Sequence, residues 1–383
     1  MKILRSLFLA LLLIFFVGCQ QLEDLENEEI TGQSTEASDV ETQAKEEEIV
    51  VETQKQETTI TIGAIGDILL HERVYAPAKT SDGSYDFLPM LQRVAALLEA
   101  PDFLMANMES IPGGVELGLS TYPSFNSPHE IVSNLQTLGV DMLVGANNHT
   151  LDRGLRAVES AIDFYEEIGM AYVGKYRSSE DRDTDRIVTV EDISIGVLAY
   201  SYGTNGIPVP KGHEYVVALI DSEKIAKDVK KLREKVDILV VHMHWGAEYE
   251  REPNQEQREL ALQLAEAGVD VVFGHHPHVL QPIEALKLEN GHETVVFYSL
   301  GNFFSGQNFD YTDIGGVATV KVTKTVEDDH VSVKIHSPEI EPTQVVQQEN
   351  GYFVRPMKEA ETPSISGATL NEIIEHTQVY ITK

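Results

Sequence analysis

The chain has 383 residues, a formal net charge of −33 at pH 7 and a single cysteine. That charge argues against nucleic acid, whose phosphates need basic partners, and against electrostatic docking on an anionic membrane; it leaves cation binding open. One cysteine excludes any disulfide within the chain, so the core alone has to hold the fold.

The first 19 residues, MKILRSLFLALLLIFFVGC, read as a signal peptide with a basic start, an apolar run from Leu7 to Val17 and a processing site. Gly18-Cys19 resembles a bacterial lipobox, which would lipidate Cys19 and place the body at the extracellular face of the cell membrane. An uncleaved transmembrane anchor is the alternative, although the run is short for a full span of about 20 residues. Residues 20–57 are dense in Glu and hold no aromatic residue. They read as an acidic disordered tether, with a short amphipathic helix as the alternative.

The body, residues 58–345, opens with TTITIGAIGDILL, a strand ending at Gly66-Asp67. FLPMLQRVAALLEAPD then has helical spacing, and PDFLMANMES is a short strand. PHEIVSNLQTLGV (helix) leads into DMLVGANNHT (strand, then loop). LRAVESAIDFYEEIGM (helix) leads into MAYVG (strand). IVTVEDISIGVLAYS reads as a hairpin through Glu191-Asp192. SEKIAKDVKKLREKV and NQEQRELALQLAEAGV are helices, each followed by a strand, DILVVHMHW and DVVFGHH. Strand and helix alternate, which defines an α/β layered fold. After HVLQPIEAL the chain is β-rich without intervening helices, a second sheet or a sheet extension. Residues 346–383 form a C-terminal extension packing on the domain, ending in a terminal helix.

Polar residues crowd the strand ends: Asp67; Asn107 and Glu109; Asn147, Asn148, His149 and Asp152; His242, His244 and Glu248; His275, His276 and His278. In layered α/β folds the carboxyl ends of the strands converge on one rim, so these groups form one basin. Mixed oxygen and nitrogen donors suit a divalent transition metal, Mn, Zn or Fe. The donor count fits two ions better than one, with a carboxylate between them. Neither a G-x-S-x-G elbow nor a Walker loop occurs.

GAIGDILLH, ANMES, GANNHTLDRG, VHMHWGAEY, GHHPHVLQP and YSLGNFF occur in the order seen in the bacterial capsule synthesis protein A (CapA) family. The chain resembles that family from Thr61 to Phe304, and the family resembles the calcineurin-like metallophosphatases. The resemblance implies a four-layer α/β-β/α sandwich with a two-metal site. It implies metal ligation by Asp67, Glu109, Asn148, His244, His276 and His278, with Glu109 as a longer carboxylate in the bridging place. It implies His149 over the substrate with Asp152 orienting its ring, and substrate contacts from Asn126, Asn205 and Asn302. Trp245 and Tyr249 are either core or a wall for an apolar part of the substrate, His242 a structural histidine, and His275 a support behind the ligands; the Gly-rich loop Tyr202–Gly206 lies on the same rim and could contact substrate. One departure stands out: the family's histidine two residues after the first aspartate is missing, because Ile68-Leu69 follow Asp67. His71 is the nearest substitute.

Two functions follow as expectations. One is a hydrolase or transferase of capsule or poly-γ-glutamate synthesis, acting on an anionic surface polymer or its precursor. The other is a non-catalytic polymer-binding or tethering part of a membrane-bound synthase or export complex.

Overall fold

The computed structural model describes residues 55–328 and 330–381. The signal peptide and the tether up to residue 54 lie outside the described residues. The first sheet contains β1 (Lys55–Leu69), β2 (Phe103–Met108), β3 (Met142–Val144) and β4 (Ala171–Val173). The second contains β5 (Ile187–Val190), β6 (Ile193–Ser201), β7 (Ile238–His244), β8 (Val271–His275), β9 (Ile283–Lys287) and β10 (Glu293–Phe297). β11 (Asn302–Ser305), β12 (Ile314–Glu327), β13 (His330–Gln348) and β14 (Gly351–Pro356) return to the first sheet. The strand orders are β14-β13-β12-β1-β2-β3-β4, with β11 beside the end of β1, and β5-β6-β7-β8-β10-β9.

The two sheets face each other. Ile62, Ala64, Met105 and Val144 from one meet Ile195, Val240 and Phe273 from the other in a single apolar cluster. Helices Glu130–Thr137 and Gly154–Ile168 cover the outer face of the first sheet, whose Leu104 and Leu143 point their way. Helices Ser222–Arg233 and Gln255–Glu266 cover the second through Leu239, Val241 and Val272. The four-layer α/β-β/α sandwich is therefore present. Central strands buried on both faces explain the near-continuous apolar runs of β7 and β8. Gly154–Ile168 turns Ala157, Val158, Ala161, Ile162 and Tyr165 inward at helical spacing and stops at Gly169, whose φ of 71° is left-handed.

Two boundaries and one strand differ from expectation. β1 reaches back to Lys55, so residues 55–57 of the expected tether are strand, paired with Thr325–Glu327 of β12. Those positions are exposed, and backbone hydrogen bonding leaves no apolar signature to read. The expected limit at residue 345 falls inside β13, which pairs with β12 before it and β14 around it. β9, a half-buried strand at the sheet edge, carries too weak an alternation to read from sequence.

One buried cation supports the site loop from below. Lys175 is 2% exposed, and its amine donates to the Tyr165 hydroxyl at 3.0 Å. Its stem lies so close to Gly145 that a Cβ there would approach within 2.7 Å. Burial pushes the amine from 10.5 down to about 7. The unfolded chain therefore binds more protons than the native one between those two values, so native stability rises as pH rises from about 7 towards 10.5 and is low and flat below. Lys175→Met should flatten that slope and stabilise the protein at neutral pH by a few kcal/mol, on the order of the cost of burying an unpaired charge after relaxation. Urea unfolding of both proteins at about pH 7 and about pH 10 measures it. Equal slopes would show that the amine titrates as in water.

Candidate metal centre

β1 to β4 run parallel, as do β6, β7, β8 and β10. Their carboxyl ends carry Asp67, Glu109, the Gly145–Thr150 loop, His244 and the 275–278 turn to one basin. Asp67 is fully buried. Its Oδ1 accepts from Asn107 Nδ2 at 2.7 Å, and its Oδ2 accepts from the His276 backbone N–H at 3.3 Å and lies 3.0 Å from His278 Nδ1. Glu109 is also fully buried, yet neither of its oxygens has a protein hydrogen-bond partner. His244 Nε2 lies 3.0 Å from Asn148 Oδ1 and 3.5 Å from Glu109 Oε1. His276 Nδ1 is buried without a partner.

These donors form two overlapping sets. Asp67, Glu109 and His278 bring one ligand atom each within 4.8 Å of one another, and so do Glu109, His244 and His276. Glu109 belongs to both. Buried acceptors without donors are costly, and an ion is the partner their chemistry fits. The electrostatics agree. Burial drives the Glu109 carboxyl up to about 8, helped by the neighbouring charge of Asp67. Burial also opposes charge on Asp67, but His275 and His278 outweigh it and hold that carboxyl well below its usual range. Burial likewise opposes charge on His278, and Glu109 and Asp67 outweigh it, raising the ring to about 9. His276 falls to about 2 through burial and the nearby His244 and His278. The described residues thus hold ligands suited to a divalent cation.

The turn is held under strain. His276 and His278 have φ of 96° and 60°, which non-glycine residues rarely adopt. Backbone bonds from His276 to Asp67 and from Tyr249 N–H to the Pro277 carbonyl, 2.8 Å long, fix it. His275 stands behind, with Nδ1 3.5 Å from Asp67 Oδ1 and Nε2 3.0 Å from His242 Nδ1. His242 stacks on it and reaches Met105, a structural place. His149 Nδ1 donates to Asp152 Oδ2 at 2.7 Å, and the same oxygen accepts from the Phe125 N–H. The spacing of three residues therefore does bring carboxylate and imidazole together.

Asn126 and Asn302, expected at the substrate, have partners within the protein, and Trp245 takes the core place of its two alternatives. Asn126 is fully buried; it accepts from Gly113 N–H and donates to the Gly114 and Gly118 carbonyls, clamping its own loop. Trp245 is core, with Nε1 donating to the Tyr298 carbonyl. Asn302 is buried opposite Asp67 and donates to Gln307 and the Thr312 carbonyl. Buried strand ends must satisfy loop backbone first, and these side chains do so. Asn205 is exposed at the basin and accepts from Asn148 Nδ2 at 3.3 Å. His71 joins neither ligand set; its Nδ1 lies against the Leu69 carbonyl and the Gly306 N–H. Sequence reading gave two residues no individual role. Glu248 groups with His276 and His278 within 4.8 Å, and the Tyr202 ring lies 4.6 Å from that of His276. Glu248 stood among the strand-end residues, and Tyr202 opens the Gly-rich loop to Gly206 that follows the LAYS strand on the same rim.

The layers and the rim of ligands define an α/β-β/α sandwich with a candidate metal centre at its strand ends. Within that class, the chain belongs to the family described as bacterial capsule synthesis protein PGA_cap, which it matches over residues 61–307. It is similar to the PGA biosynthesis protein CapA of Bacillus subtilis (strain 168), 30% identical over 257 residues covering 65% of this chain and 64% of that one. It is similar to the capsule biosynthesis protein CapA of Bacillus anthracis, 26% identical over 267 residues covering 67% and 62%. The chain thus aligns with slightly less than two thirds of each relative's length. Among solved structures, the NAD nucleotidase NadN of Haemophilus influenzae superposes with a TM-score of 0.43 at 11% identity, covering 78% of this chain and 53% of that one.

Proposed function

We propose that the chain is a metal-dependent hydrolase or transferase of capsule or poly-γ-glutamate synthesis, acting outside the cell on an anionic surface polymer or its precursor. One observation carries this reading: a fully buried Glu109 whose two unpartnered oxygens serve two ligand sets at once. Asp67, Glu109 and His278 would hold one divalent ion. Glu109, His244, His276 and the Asn148 carbonyl would hold a second, with Mn, Zn or Fe suited to the mixed donors. When bound, such a pair supplies a hydroxide near neutral pH and polarises the substrate oxygen. Asp152 fixes the proton of His149 on Nδ1 and leaves Nε2 for the substrate side. Once Nε2 also carries a proton, with the Asp152 carboxylate facing the resulting imidazolium, the ring can protonate a leaving group or stabilise developing charge there. Asn205 would orient the substrate from the rim.

A second reading keeps the basin as a binding site within a membrane-bound polymer synthase or export complex. Ile68-Leu69 in place of the usual ligand histidine favours it, since His71 joins neither ligand set. Elemental analysis together with a turnover screen on phosphoesters, γ-linked glutamyl peptides and cell-wall fragments tests both. Stoichiometric metal with no turnover of any of them would move the balance to the binding reading.

The lipobox-like Gly18-Cys19 supports a lipid anchor at the cell membrane. Mass spectrometry of the mature protein should find an acylated N-terminal Cys19. A free terminus at another residue would overturn the anchor.

A further inference from the structure

Four aromatic residues among those described are exposed: Tyr122 at 73%, Tyr202 at 46%, Tyr249 at 42% and Phe309 at 56%. They are far apart in sequence, yet each reaches the metal basin through ring contacts. Tyr202 lies 4.6 Å from His276 and stacks with an interplanar angle of 8° on His244. Tyr249 lies 6.1 Å from His278 and packs edge-on to Phe309 at 5.4 Å. Tyr122 packs on Phe125, whose ring meets His149 at 4.8 Å. Exposed aromatic side chains standing singly need no explanation, but the exposed Tyr and Phe residues described all stand around one basin.

This collar is built. Tyr249 holds a φ of 68°, a rare conformation for a bulky residue, and its N–H is tied to the Pro277 carbonyl between the two histidine ligands. Its hydroxyl accepts from Gln307 Nε2 at 3.4 Å. The Tyr202 hydroxyl donates to Asn205 Oδ1 at 3.3 Å. Each platform therefore offers an apolar face with hydroxyl and amide groups at its edge. The charge facing it is the carboxylate of Glu248, grouped with His276 and His278.

We propose that the collar binds the sugar rings of a glycan that flank the reacting bond. A pyranose has one flat C–H face and a rim of hydroxyls, which matches a tyrosine face edged by Asn205, Gln307 and Glu248. A linear polyacid has no flat face, and its dense carboxylates would meet Glu248 and a chain of net charge −33. The proposal rests on the reading of the basin as a hydrolase or transferase site and adds to it the substrate class: an anionic polymer, or an acceptor, that carries sugar rings.

The test uses the full chain and three probes: a β-linked N-acetylglucosamine oligomer, a poly-γ-glutamate oligomer and adenosine monophosphate. Titration calorimetry is run on wild type, Tyr122→Ala, Tyr249→Ala, Tyr249→Phe and Phe309→Ala, with and without EDTA. The sugar oligomer should bind saturably. Each ring removed should weaken it roughly two- to tenfold, and Tyr249→Phe should keep most of the affinity. Sugar affinity unchanged in all three alanine variants, or no saturable sugar binding, overturns the proposal. So does tighter, ring-dependent binding of the glutamate oligomer or the nucleotide. Metal content and turnover of wild type are scored separately. A metal-free, inactive protein that still binds the sugar through its rings would remove the hydrolase reading and leave the glycan site standing.

Discussion

Glu109→Gln should empty the metal basin and His276→Ala should lose one of its two ions, while the metal-free fold of Glu109→Gln stays at least as stable as wild type. Burial, helped by the charge of Asp67 beside it, disfavours ionised Glu109 and lifts its carboxyl to about 8. Without a cation the side chain is therefore held neutral near pH 7, with two buried oxygens that have no protein partner. Glutamine keeps that shape and neutrality, so the metal-free protein loses nothing by the change. With Mn²⁺ or Zn²⁺ added the order should reverse. An ion that binds only the native state stabilises by about 2.7 kcal/mol at a hundredfold excess over its dissociation constant. The wild type should gain that and the variant should not. His276→Ala leaves Asp67, Glu109 and His278 in place, so one weaker site should survive. Elemental analysis and thermal unfolding with and without metal decide it. Stoichiometric metal in both variants would place the ions elsewhere.

Much of this site is legible in the chain because parallel strands end on one side. A buried strand reads as an apolar run, and the polar residue that closes it is the one facing the rim. Asp67, Glu109, His244 and His276 each close such a run, and the structure brings them together. The same rule overreaches at Asn126 and Asn302. Both stand next to strand-end runs, but the amide of Asn126 is consumed by loop groups, and the Asn302 amide nitrogen by Gln307 and the Thr312 carbonyl, that only the folded chain places within reach. Trp245 follows His244 directly, and side chains alternate across a strand end, so it points away into the outer core. Tyr249 and the loop of Tyr202 could be placed at the rim from sequence, but not the gathering of the rings of Tyr202, Tyr249 and Phe309. They lie on three loops, and only the closing of the sandwich gathers them.

His149→Asn should keep the fold and the metal and lose most of whatever turnover the wild type shows. His149 is one residue after Asn148, whose side-chain carbonyl lies 3.0 Å from His244 Nε2, but its own ring stands in neither ligand set. Its Nδ1 is held by Asp152, itself fixed by the Phe125 N–H, and its ring is pinned edge-on against Phe125. Such a held imidazole presents one nitrogen to the substrate in one tautomer. General acid or electrostatic assistance from a positioned ring is worth about 10²–10⁴-fold in rate. Asparagine retains the polar contact to Asp152 and removes the proton donor, so metal content should not change. Asp152→Asn should fall between the two, because an amide can still touch Nδ1 but no longer fixes its proton or supports an imidazolium. The three proteins are compared by kcat/KM beside metal content. Equal turnover in H149N and wild type would remove His149 from the chemistry. Loss of metal in H149N would instead make it a ligand, and the fall in rate would then say nothing about proton transfer.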